Sequence, residues 1–146
     1  MRTVTMIMKI NNDLERIGDH AVSISRKAIY LSEVPPIKPL IDIPKMADKA
    51  IEMLSNSLDA FINKNAELAV QVCKMDDEVD SIEPQVVREL ITYIMADPTL
   101  IDRALRLVYV TRHLERVADL ATNIAEYAYY IATGEVLKHH HTSEVN

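Results

Sequence analysis

One cysteine, Cys73, is present in 146 residues. A lone thiol forms no internal disulfide framework and no cysteine-based zinc site, so the chain reads as made for a reducing, cytoplasmic setting. Glycine is nearly as scarce, with two residues. No stretch of charge-free apolar residues reaches the roughly 20 that a membrane span needs, and the N-terminus lacks the unbroken apolar core of a signal peptide. Any membrane association is therefore expected to be peripheral, through contact with membrane complexes. Runs of lysine and arginine are absent too, and the net charge is −6. That leaves no electrostatic footprint for a phosphate backbone, and nucleic acid is not an expected partner.

What remains is a helix-forming composition. Hydrophobic residues make up 49% of the chain, and its length suits one ordinary domain that buries roughly two-thirds of its unfolded surface. An all-α fold follows. The interruptions of the apolar period mark out four helices: about Met1 to Leu31, Pro44 to Asn63, Ala66 to Met95, and Leu100 to Thr133. Three prolines in "SEVPPIKPLID" make residues 33–42 a crossover loop. Asp42 is the expected N-cap of the second helix, Pro84 is expected to kink the third, and "ADPT" should stop it. Gly134 suits the left-handed C-cap of the fourth, with residues 135–146 as a tail.

"DLERIGDHA" (13–21) returns as "HLERVADLA" (113–121). Over the longer span 11–31 against 111–131, Leu14, Glu15, Arg16, Asp19, Ala21, Ile24, Ala28 and Tyr30 are identical to the residues 100 positions later. This is an internal repeat. Within each copy, Glu15/Asp19 and Glu115/Asp119 are spaced as neighbours on a helix, so each forms a like-charged pair. A solvated acidic face would explain such pairs. Periodicity suggests otherwise: at about 100° per residue, Met1, Val4, Met8 and Val22 lie near the Glu15 direction, while Lys9, Asp13, Arg16, His20 and Lys27 form a separate wet stripe. In the fourth helix Ile101, Ala104 and Val108 line up with Glu115, and Arg106, His113 and Arg116 lie opposite. A third pair, Asp76/Asp80, shares a face with Ala69, Val72 and Glu83, away from Lys74, Gln71 and Gln85. Carboxylates drawn toward a packing surface must raise their pKa or find compensation, and a cation compensates several at once. Oxygen-only ligation suits magnesium, manganese or iron.

"NNDLERIGDHAVSIS" and "TRHLERVADLATNIAEYAYYIATGEVLKH" resemble the signature helices of the PhoU family of phosphate-signalling proteins, and "DDEVDSIEPQVVRELITYIMADP" is similar to the intervening part of that family's second repeat. The resemblance implies two three-helix repeats in which [E/D]-x-x-x-D motifs hold metal clusters, with iron and zinc among the metals. Carried over residue by residue, the metal candidates are Glu15, Asp19, Asp76, Asp80, Glu115 and Asp119, with Asn123 and Glu126 on the "TNIAE" segment. Residues 1–32 then correspond to the last helix of a first repeat, N-terminally shortened relative to the family, and residues 43–134 to a second repeat. The first helix, apolar along Ile10, Leu14, Ile17, Ala21, Ile24 and Ala28, should dock on the second bundle or pair with another copy in a homodimer.

The resemblance also implies a negative regulator of phosphate uptake and of the phosphate-starvation response, in contact with the ATPase subunit of a phosphate ABC transporter and a sensor histidine kinase. A helical adaptor without metal is the alternative. Nothing points to an enzyme: there is no Glu-x-x-His pair, no Gly-rich phosphate loop and no nucleophile–base motif. The seven methionines are expected to fill the core. His20 and His113 are expected at the surface, and His139 to His141 in a solvated tail.

Overall fold

The computed structural model describes residues 2–137, so Met1 and the triplet His139 to His141 lie outside the described residues. Four helices account for nearly all of the rest: α1 (Arg2–Ser32), α2 (Asp42–Asn63), α3 (Ala66–Ala96) and α4 (Ile101–Thr133), with a single 3₁₀ turn at Pro98–Leu100. No strand occurs among the described residues.

The punctuation between helices follows from local chemistry. Asn65 caps α3, its side-chain oxygen accepting from the Leu68 N–H at 3.0 Å. Asp97, held extended ahead of Pro98, ends α3 and accepts from the Thr99 N–H at 3.0 Å and the Thr99 hydroxyl at 2.6 Å. Gly134 closes α4 at φ 78°, its N–H donating to Tyr130 O at 2.8 Å. One expectation is corrected. Asp42 lies inside the first turn of α2 instead of capping it, where its charge complements the positive helix end. The C-cap of α2 is Lys64, in the left-handed region at φ 50°. Helix α3 continues through Pro84, which has no N–H to donate, so the turn after Asp80 lacks one rung of the helical ladder.

Helix α4 is the centre: α1, α2 and α3 all pack on it, α2 also packs on α3, and α1 touches no other helix. Alanines make this possible. Ala104, Ala118, Ala121, Ala125 and Ala128 are buried along α4 and let neighbouring backbones approach closely, while Met46, Met53, Val72, Val79, Val86, Leu90 and Ile124 fill the space between α2, α3 and α4. Met8 and Met95 are exposed, so the methionines are not all core residues.

The docking of α1 onto α4 realises the first of the two packing expectations, through Ile10 and Ile17 with Leu14, Ile24 and Leu31 beside them. It also reverses the expected polarity of that helix. Asp13, placed above on the wet stripe, is only 4% exposed, whereas Val4, Met8 and Val22, placed on the inner line, face solvent. The cause is tertiary. Two apolar lines run along α1, and α4 covers the one carrying the isoleucines, which turns Asp13 inward and Glu15 and Asp19 outward.

A carboxylate centre between the third and fourth helices

α3 and α4 run antiparallel, joined by the tight Asp97–Leu100 connection. Their facing sides bring Asp76 and Asp80 of α3 toward Asp119 of α4, with one carboxylate oxygen from each lying within 4.8 Å of the others. Asp76 is 1% exposed; Asp80 and Asp119 are partly buried. The i, i+4 spacing puts Asp76 and Asp80 on one face of α3, and that face is inward because Ala69, Val72 and Val79 share its packing surface.

Glu115 extends the centre by one turn of α4. Burial, then a hydrogen bond to Asp119 and the Asp119 charge, push its carboxyl up to about 8, with Glu83 of α3 adding to the effect. At neutral pH Glu115 therefore keeps a proton that a carboxyl in water would have lost. Two arginines stand at the rim. Arg116 lies 3.8 Å from Glu115 and 3.9 Å from Asp119, and Arg112 lies 3.6 Å from Glu83. Both side chains are mostly solvent-exposed, Arg116 at 67%, so they are screened and offset little of the cluster's charge.

At the other end Glu126 and Asp76 act on buried Cys73, whose thiol is pushed up to about 12 mainly by desolvation. Glu126 lies close enough to act on the Cys73 thiol while lining a pocket with Met6 and Lys9 of α1, and it stands at one end of an acidic seam that runs on through Asp76, Asp80 and Asp119, Glu115, Glu83. Glu83 was visible in the sequence on the same helical face but was assigned no role there. Its place beside Glu115 makes it part of the seam.

The other candidates lie elsewhere. Glu15 and Asp19 are exposed on the side of α1 away from α4, in no carboxylate cluster among the described residues. Asn123 faces α1, where its side chain hydrogen-bonds Asp13. Burial raises the Asp13 carboxyl against the lowering effect of Arg16, Asn123 and Lys9, and its Oδ2 has no hydrogen-bond partner. His20 and His113, expected as free surface residues, are partly buried and meet across the α1–α4 seam with their Nδ1 atoms 3.0 Å apart.

The α3–α4 donor set fits a cation. Oxygen ligands at about 2.0–2.6 Å from one ion, supplied by several carboxylates on rigid elements, are what hard divalent and trivalent metals take. A metal among Asp76, Asp80, Glu115 and Asp119 would displace the proton that Glu115 holds and neutralise the buried charge of Asp76.

Comparison with known proteins agrees with this architecture. Residues 1–28 and 43–128 match the PhoU domain. A phosphate-specific transport system accessory protein PhoU homolog of Aquifex aeolicus is 45% identical over 144 residues, covering 99% of this chain and 65% of that protein. The PhoU homolog 2 of Thermotoga maritima is 40% identical over 95% of this chain and 59% of its own length. The chain thus spans a little under two-thirds of these relatives. The crystal structure of PhoU from Pseudomonas aeruginosa superposes with a TM-score of 0.88 at 38% identity, covering 92% of this chain and 65% of that one. The phosphate transport system regulatory protein PhoU from Streptococcus pneumoniae superposes at 0.81 with 30% identity, over 94% and 65%. The chain belongs to the PhoU family.

Proposed function

We propose that this chain is a metal-binding regulatory component of phosphate uptake. Its relatives are named as accessory proteins of a phosphate-specific transport system, which supports a phosphate-transport role. The observation that carries the metal reading is the convergence of Asp76, Asp80 and Asp119 beside a Glu115 that keeps its proton to about pH 8. In this reading Asp76, Asp80, Glu115 and Asp119 hold the ion or ions, Glu83 and Glu126 complete the acidic seam, and Arg112 and Arg116 limit its charge at the rim. Iron, manganese, zinc and magnesium are the candidate metals, with the oxygen-only donor set favouring the first two and magnesium over zinc.

The regulatory output is binding, not turnover. The chain contacts the ATPase subunit of a phosphate ABC transporter and, with it, a sensor histidine kinase, and so restrains uptake and the phosphate-starvation response. No described helix is long and apolar enough to cross a membrane, consistent with a peripheral partner of a membrane complex.

Metal analysis and calorimetry on the wild type and on Asp80→Ala/Asp119→Ala test the first half. The wild type should retain tightly bound metal after dialysis and the double variant should lose it. Equal metal content in both would leave a metal-independent helical adaptor as the better reading. Pull-down on the transporter ATPase subunit tests the second half, with a full-length relative as positive control. Capture of the relative and not of this chain would contradict the partner assignment.

A further inference from the structure

The α1–α4 seam holds a second arrangement of ligand-bearing side chains, on the opposite side of α4 from the carboxylates. His113 and Glu115 are two residues apart, about 200° around the helix; Glu115 faces α3, while His113 meets His20 of α1. The two Nδ1 atoms lie 3.0 Å apart and the ring centroids 5.2 Å apart, with the ring planes tilted by 51°. In the metal-free chain one imidazole donates its Nδ1–H to the lone pair of the other, so both Nδ1 atoms are aimed at one point. A cation that displaces that proton would meet both lone pairs. A metal ion at about 2.0–2.1 Å from both nitrogens would see them at roughly 95°, the angle of adjacent ligands in a tetragonal site and narrower than a tetrahedral ion takes.

We propose that His20 and His113 form a bidentate site for a borderline divalent transition ion of tetragonal preference, such as copper(II) or nickel(II), that clips α1 to α4. Imidazole is the ligand such ions prefer over carboxylate, so the site differs in chemistry as well as position from the α3–α4 centre. Both histidines retain solvent access, which leaves the remaining coordination positions to water. Arg16 and Arg116 lie near His20, and Lys27 near His113. Each arginine is exposed and has a carboxylate within 4 Å: Asp13 for Arg16, and Glu115 and Asp119 for Arg116. Their opposition to a bound cation is therefore screened. The consequence for the fold is specific, because α1 packs on no helix but α4 and one clip near its middle bears on the whole docking.

The test is copper(II) titration followed by electron paramagnetic resonance, in a background where His139, His140 and His141 are alanine so that the tail triplet cannot contribute. One equivalent of copper should give a spectrum with hyperfine coupling to two imidazole nitrogens, unchanged by Asp80→Asn/Asp119→Asn. His20→Ala and His113→Asn should each abolish the two-nitrogen signal and weaken copper binding by about a hundredfold, the loss expected when a second preplaced ligand is removed. His113→Asn keeps a hydrogen-bonding side chain at the seam, and circular dichroism confirms that each variant is folded. A spectrum with oxygen ligands only, or a two-nitrogen signal that survives His113→Asn, would overturn the proposal and leave the pair as a hydrogen bond.

Discussion

Glu115 carries the clearest electrostatic mark of the carboxylate centre. Its carboxyl ordinarily titrates at 4.5 and is pushed up to about 8 in the folded chain. An acid whose folded pKa is raised favours the fold only while protonated, so metal-free protein keeps this stability below about pH 4.5 and loses it as pH rises through about 8. Urea denaturation of metal-free wild type should therefore show falling stability between pH 5 and pH 8, and Glu115→Gln should flatten that slope. Identical slopes would mean that Glu115 is not the group responsible. Added metal should reverse the trend in the wild type, because it binds the deprotonated cluster and stabilises only the folded state.

At the same scale, the sequence disclosed the centre better than its surroundings. Asp76, Asp80, Glu115 and Asp119 were legible because i, i+4 acids that interrupt an apolar line require a compensating charge. Asp13 was misplaced for a reason of geometry. A helical wheel gives directions around one axis, and which direction another helix covers is decided by packing it does not contain. The His20–His113 contact joins residues 93 apart, and neither side chain stands out within its own helix.

Among the elements, the boundaries were readable wherever proline, asparagine or glycine imposes a backbone conformation, as at Asp97–Pro98, Asn65 and Gly134. Lys64 gives no such signal. It occupies a left-handed C-cap where glycine is preferred, and a side chain there costs about 1 kcal/mol. Lys64→Gly should raise stability by about that amount, which thermal melts would register as an upward shift of a few degrees. An unchanged or lower Tm would mean that the Lys64 conformation carries no strain. Helix α1 makes the contrasting case. It is long but docks along a single neighbour, so its amides should exchange faster than those of α4, which is packed by three helices. Ile17→Ala removes part of that docking and should cost about 2–3 kcal/mol of α1 protection in hydrogen exchange while leaving α3 unchanged. Equal loss in α1 and α3 would show that the four helices unfold as one unit.

For the molecule as a whole, the repeat seen in the sequence has two different fates. Glu115/Asp119 meet an acidic partner pair across a helix interface. Glu15/Asp19, at the same helical positions 100 residues earlier, are turned outward by the same docking that buries Ile10 and Ile17. The all-α bundle was legible from composition and punctuation, and so was the lack of an acidic partner pair for the first copy, but the face of α1 that turns outward was not, because it depends on which faces find neighbours.

The functional reading stands or falls on whether Asp76, Asp80, Glu115 and Asp119 together hold metal. Anomalous diffraction at the iron and manganese edges, on crystals of metal-loaded protein, addresses this most directly. The expected result is an anomalous peak between α3 and α4, within coordination distance of carboxylate oxygens of Asp76, Asp80 and Asp119. Metal-loaded crystals with no peak there, or with the metal held only by residues outside this seam, would contradict it.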